Sequence, residues 1–423
     1  MENDMVMEKS EAKMKQVWKQ IKAWLVVIGP GLIVMLADTD AGCLITAAQS
    51  GNQFGYAMVL PQIALIPVLF MVQEITVRLG IITKKGHGEL IREYFGKKWA
   101  YVSAITLLIS VVGAMITEFI GIAGVGELFG ISRWITIPAT TIFLIVIALI
   151  GSYHRVEKIG IAFGIFELMF IIGIFMVKPD VGQMVTGMGK IPLHDKSYVF
   201  MIAANVGAVI MPWMIFYQQS AVIDKKLKPK MIKKARVDTL VGTFITQGIM
   251  IGFVVLFAAT TFTKGGVALN TVSDLVHELE LFIGPNAAKA ILGSSLFGGA
   301  IVAAIVVALA GTWGMTEVLN WRHSLNEKLN RHNYGFYGMY AAVLIVPAMM
   351  VLFMDKMVEI AVSIEVMNAL MIPIVLGFLL LLETRALPAQ YRMHGAYKWT
   401  VIISSLTVMA FGIYMLGPSL NIW

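Results

Sequence analysis

The chain has 423 residues, 58% of them hydrophobic and 14% charged, with a mean hydropathy of +0.79 and a net charge of +7. Soluble chains carry about 25% charged residues, so this composition excludes a water-soluble enzyme or binding module and requires a bilayer. A single cysteine excludes an internal disulfide and any multi-cysteine metal or iron–sulfur centre. The apolar runs are long enough for helices and lack the period-two alternation of barrel strands, which predicts an all-α membrane protein. Hydropathy and turn signals place eleven spans near 24–50, 56–82, 101–126, 134–153, 158–177, 197–219, 238–262, 288–320, 338–354, 358–383 and 398–417. Residues 1–22 are polar, hold no cleavable signal pattern and are expected to be a retained cytoplasmic segment. Residues 23–423 then form one transmembrane domain.

The distribution of basic residues orients the spans. With the N-terminus inside, the inner segments hold 25 of the 33 Lys and Arg residues and the outer ones only 7, with Arg78 at a helix end. The expected topology is N-terminus in, C-terminus out, in a bacterial inner membrane. The basic loop 225–236 fits a topology determinant beside anionic lipid; no aromatic or glycine-rich pattern accompanies it, so nucleic acid is not an expected partner.

Span 1 carries Ala37-Asp38-Thr39-Asp40-Ala41-Gly42-Cys43, two acids in an apolar helix, and is expected to break at Asp40-Ala41-Gly42. A carboxylate at mid-membrane costs roughly 2.5–3.5 kcal/mol on insertion scales and is kept where it meets a cation, a partner or water. Capping a half-helix, or pairing with a buried base, is the plainer reading of Asp40, but no Lys, Arg or His lies in the apolar part of a span. Span 6 carries Asn205-Val206-Gly207-Ala208-Val209-Ile210-Met211-Pro212-Trp213. Proline lacks a backbone donor, so carbonyls near Gly207 and Ala208 lose their helical partners. A lone Pro212 reads as a kink. Two breaks five spans apart lie in halves of opposite orientation, the arrangement of inverted-repeat transporters with a midplane site. Asp40 offers anionic oxygen, the carbonyls of Ala37 and Ala208 neutral oxygen, and Met211 a thioether, so the expected guest is a divalent metal of intermediate softness.

These residues resemble the Nramp family, proton-coupled manganese and iron transporters. The family carries Asp-Pro-Gly-Asn in helix 1 and Met-Pro-His in helix 6, where this chain has Asp40-Ala41-Gly42-Cys43 and Met211-Pro212-Trp213. Gly29-Pro30-Gly31, Phe54-Gly55-Tyr56 and Glu118-Phe119-Ile120-Gly121 match its flanking signatures. The resemblance implies a LeuT-type inverted repeat of helices 1–5 (about 23–177) and 6–10 (about 197–383), with helices 1 and 6 discontinuous and helix 11 at about 398–417. It also implies metal ligation by Asp40, Met211 and the carbonyls of Ala37 and Ala208.

The departures shape the expected activity. Cys43 replaces the family's asparagine ligand, either as a thiolate ligand or as an inert small residue. Glu365 replaces a helix-10 glutamine and adds a second acid. Asp38 is expected to cap or to line the vestibule. Trp213 stands at the relay histidine, Met115 at an aspartate, and the arginine of helix 9 is missing from 337–346, leaving Glu118 as a gate or proton-related group. Without a chain of titratable groups, tight proton coupling loses its basis. The expectation is therefore gradient-driven transport of Mn²⁺ by alternating access, with weak or absent proton coupling. The Asp-Ala-Gly and Pro-Trp pattern also resembles the branch that includes magnesium transporters, which makes Mg²⁺ the alternative, although Met211 departs from that branch.

No cofactor, catalytic residue or obligatory protein partner is expected. An amino-acid symporter on the same repeat fits poorly, because Asp40 with Glu365 repels a substrate carboxylate. The seven histidines lack HExxH spacing, which counts against a membrane metalloprotease. A gated channel is separated from a carrier by flux rate. Glu74, Glu167, Glu317 and Glu359 read as packing or hinge contacts, and Gly86-His87-Gly88-Glu89 as an inner hinge. Trp24, Tyr56, Trp99, Tyr101, Trp134, Tyr198 and Trp399 read as an interfacial belt.

Overall fold

The computed structural model describes residues 29–150 and 152–419. The segment 1–22, the first residues of span 1 and Trp24 lie outside the described residues. Among those described, every regular element is helical. Span 1 is split into α1 (Pro30–Ala37) and α2 (Ala41–Phe54), and a 3-10 turn leads to α3 (Val59–Thr83). Next come α4 (His87–Phe95), α5 (Lys97–Leu128), α6 (Arg133–Leu149), α7 (Tyr153–Glu167), α8 (Met169–Val177) and α9 (Val181–Met188). Span 6 is split into α10 (Lys196–Val209) and α11 (Pro212–Asp224). The chain continues with α12 (Ile232–Thr260), α13 (Val272–Ile283), α14 (Pro285–Leu319), α15 (Tyr334–Leu352), α16 (Met357–Ala386), α17 (Gly395–Tyr414) and the short α18 (Leu416–Ser419).

Where they are described, the expected spans fall largely on helix, and among the described residues nine helical stretches are long and apolar enough to cross a membrane. Three short helices between spans, α4, α9 and α13, were not anticipated. Their starts were legible: Asp180 caps α9 through Gln183 N–H at 3.0 Å, and Thr271 with Asp274 forms a reciprocal capping box on α13.

The long helices α5 and α14 pack along each other at the centre and are apolar on every face, as a helix enclosed by others must be. Around them, α12 packs against α1 and α2, and α10 lies along α16. At the periphery α17 exposes Trp399, Ile403 and Leu406. Trp99, Tyr101, Trp134 and Trp399 are exposed, as a belt requires, whereas Tyr56 and Tyr198 are buried. Tyr198 is fully buried, donates to the carbonyl of Ala57 at 3.0 Å and meets the edge of Phe54, so a tertiary partner takes the role assigned to the headgroups.

Candidate metal site

The first break differs in place from the expected one. α1 ends at Ala37, Asp38 is its C-terminal flank, and Asp40, with extended backbone, is the N-cap of α2. Its Oδ1 accepts the Cys43 amide at 2.7 Å, so capping is one part of what Asp40 does. The amide of Ala41, which in a continuous helix would reach Ala37 O, donates instead to Glu118 Oε2 at 3.2 Å. Together these two bonds release the carbonyls of Ala37 and Thr39 from their i+4 partners. Gly42 is not the breaker but the second residue of α2. A Cβ there would stand 2.5 Å from Glu365 Oε1, so its bareness lets span 10 approach.

The second break lies at Ile210–Met211, with Met211 extended as N-cap and Pro212 opening α11. Because Pro212 has no N–H, the carbonyl of Ala208 lacks its helical donor, and it accepts the Cys43 thiol at 3.1 Å. Gly207 serves by absence as well, since a Cβ at that position would overlap the Glu365 carbonyl.

The two breaks and span 10 bring one cluster together. Ligand atoms of Asp40, Cys43 and Glu365 lie within 4.8 Å of one another, and all three residues are fully buried. Glu365 is oriented by its own helix: Asn368 Nδ2 donates to its Oε2 at 3.0 Å, and Asn368 Oδ1 accepts Ser110 Oγ–H at 2.8 Å. Asp40 Oδ2 and Glu365 Oε1 remain without a hydrogen-bond partner. Two buried, unsatisfied carboxylate oxygens within reach of a thiol and a released carbonyl are costly unless a cation sits among them.

Other expected residues are placed around this group. Met211 is fully buried, and its Sδ accepts the indole N–H of the equally buried Trp213 at 3.1 Å. Asp38 is 1% exposed, and neither of its carboxylate oxygens has a hydrogen bond; it is not part of the cluster. Glu118 braces the start of α2.

Sequence reasoning passed over Asn368, although its i+3 spacing from Glu365 on a helix was the available signal. It also took Glu167 for packing, whereas Glu167 is bonded to the Thr39 hydroxyl inside the span-1 break and leaves Oε1 unpartnered. A polar bridge of Gln62, Asn205 and Ser50 links α3, α10 and α2 and had no sequence signal.

Away from the cluster, Glu317 joins three elements, accepting Ser220 Oγ–H at 2.6 Å and the Gly88 amide at 3.1 Å. The stretch expected as an inner hinge therefore begins α4, held against α11 and α14. His87 is buried there against Gln219 Oε1 at 3.1 Å, and burial pushes its ring down to about 4, against the effect of that bond. A cavity of about 450 Å³ opens beside this junction, lined in part by Glu89, Asp224, Glu317 and His323.

Comparison with known proteins gives a consistent picture. The divalent metal cation transporter MntH of Staphylococcus saprophyticus is 26% identical over 326 residues, covering 71% of this chain and 73% of that protein. MntH of Bacillus subtilis is 26% identical over 314 residues, covering 70% and 71%. A mutant of the Eremococcus coleocola manganese transporter superposes with a TM-score of 0.75 at 16% identity, over 94% of this chain and 87% of that one. Mhp1, a nucleobase-cation-symport-1 family transporter, superposes with 0.59 at 13%, over 92% and 90%. At these identities the structural likeness speaks for the fold, which is shared with LeuT-fold transporters. The profile of the natural resistance-associated macrophage protein-like family matches residues 31–417, and the chain belongs to the Nramp family.

Proposed function

We propose that the chain carries divalent metal cations across a membrane by alternating access, with Asp40, Cys43, Glu365 and the carbonyls of Ala37 and Ala208 as cargo ligands and Met211 as a sulfur donor. The observation that carries this reading is the buried meeting of Asp40, Cys43 and Glu365 within 4.8 Å at a helix break. The relatives named as divalent metal cation transporters support the cargo class. Eleven spans, with the N-terminus inside and two inverted halves, complete the architecture.

Mn²⁺ is the favoured cargo, since it accepts carboxylate, carbonyl and sulfur together. Mg²⁺ is the second reading, and one observation favours it. The indole of Trp213 occupies the Met211 sulfur at 3.1 Å, which hardens the donor set.

Proton coupling is weak or absent. Trp213 and Met115, both fully buried, stand where the family's relay has titratable groups. The test is flux of Mn²⁺ and Mg²⁺ into proteoliposomes with simultaneous lumenal pH recording. Saturable metal entry without stoichiometric acidification supports the reading. Acidification in step with metal entry refutes the coupling claim, and failure of Asp40→Ala to abolish flux refutes the site.

A further inference from the structure

A second built cavity, of about 460 Å³, lies where α3, α12, α16 and α17 end or begin on the side of the molecule rich in Lys and Arg. Its lining includes Arg78, Lys230, Lys233, Arg236 and Arg392, with His394, against a single acid, Glu74. Such an excess of cations in a concavity repels itself unless an anion fills it.

Its floor is rigid. Glu74 Oε1 lies 2.8 Å from Arg78 Nε and 3.1 Å from Arg236 Nε, and Glu383 Oε1 is 3.4 Å from Arg78 Nη1. The same Nη1 donates to the Tyr391 carbonyl at 2.6 Å, which pins the turn between α16 and α17. Tyr397 donates to Glu74 Oε2 at 3.0 Å and presents its ring to the Arg236 guanidinium at 5.9 Å. Arg392 is tied in turn by Nε to Leu387 O at 2.7 Å. Two acids thus fix the arginines without neutralising the cavity.

Donor capacity is left over. Arg78 is 7% exposed and lines the cavity, its Nη2 makes no hydrogen bond, and its Nε meets Glu74 only as an ion pair. A buried guanidinium N–H without an acceptor is costly, and the fork geometry of arginine matches phosphate oxygen. The cavity lies at the ends of spans, and a basic pocket between span ends suits an anionic headgroup.

We infer that this cavity is a binding site for the phosphate of an anionic phospholipid headgroup, with Arg78 among its lining and Lys230, Lys233, Arg236 and Arg392 around it. Occupation would tie together the ends of four spans, two of which, α3 and α12, pack directly on the broken helices. The ligand chemistry is a phosphate ester, and a free phosphate ion shares it. The lipid is favoured because the site lies at span ends.

The test uses the full chain in neutral detergent. Thermal unfolding and native mass spectrometry are recorded with added phosphatidylglycerol, phosphatidylcholine or inorganic phosphate, for wild type and for the triple variant Lys230→Gln, Lys233→Gln, Arg392→Gln. These three side chains are exposed, so the fold tolerates the change. Wild type retains phosphatidylglycerol at least fivefold over phosphatidylcholine and gains stability with it, the triple variant loses both effects, and inorganic phosphate does not displace the lipid. Equal retention of both lipids, an undiminished effect in the variant, or stabilisation by inorganic phosphate equal to that by lipid overturns the assignment.

Discussion

The indole N–H of Trp213 donates to the sulfur of Met211 at 3.1 Å, two residues apart across the start of α11. Both side chains are fully buried, so no water competes for this bond. The sulfur that marks the span as a soft-metal site is therefore partly engaged by a neighbour on its own helix.

Removing that donor frees the sulfur. Trp213→Phe should tighten Cd²⁺ binding about fivefold if the bond is worth about 1 kcal/mol, with a smaller gain for Mn²⁺. Met211→Ala should lose Cd²⁺ affinity, keep Mn²⁺ flux and gain Mg²⁺ flux. Competition calorimetry measures both, and unchanged Cd²⁺ affinity in Met211→Ala sinks the thioether assignment.

Glu365→Gln restores a neutral side chain of similar shape beside Asn368, which keeps an acceptor at 3.0 Å. Divalent affinity should fall by about tenfold to a hundredfold, as for loss of a group supporting a metal site. The metal-free protein should become more heat-stable, because one of two close carboxylates is gone. Loss of stability together with unchanged Mn²⁺ affinity would show that Glu365 is a packing residue.

Gly207→Ala places a methyl against the carbonyl of Glu365, an overlap with backbone that cannot rotate away. Overpacking of this kind costs about 1–3 kcal/mol. The melting temperature should drop by several degrees and transport should fall with it, read by thermal unfolding and by flux on the same preparation.

The histidine at the cavity beside α4 gives a pH dependence. His323 Nδ1 lies 2.8 Å from Trp321 O and its Nε2 4.0 Å from Glu89 Oε1, with Glu317, Asp224, Glu327, Lys84 and Arg322 facing the same space. Burial alone would push the ring down, but the nearby acids, Glu317 first, hold it above its ordinary value. Stabilisation from charged His323 is thus fully present below the ordinary value of about 6.5 and is lost as pH rises through the raised one. Protection of the amides in 320–326, corrected for the intrinsic pH dependence of exchange, should fall in wild type as pH rises above about 6.5, and His323→Gln should remove that fall.

Sequence alone carried the helices and both breaks, because hydropathy marks spans and because Pro212 and the acids of span 1 have few other uses in lipid. It misplaced the first break by two residues. Gly42 looks like a breaker in sequence, and only the approach of Glu365 shows it to be space for a neighbour. The burial of Tyr198, the tie between Thr39 and Glu167 and the floor of arginines and acids around Arg78 depend on partners far along the chain, which local pattern does not encode.

Asp40 both caps α2 and faces the cluster with a free oxygen, and Asp40→Asn separates the two roles. Asparagine keeps an oxygen for the Cys43 amide and caps as well as aspartate, but it carries no charge for the cation. The decisive measurement is Mn²⁺ influx into proteoliposomes for this variant, with its melting temperature as the control. Flux should vanish while the melting temperature stays at or above that of wild type, since one of the two close carboxylates is neutralised; Mn²⁺ entry at the wild-type rate in the folded variant would contradict a cation site at Asp40.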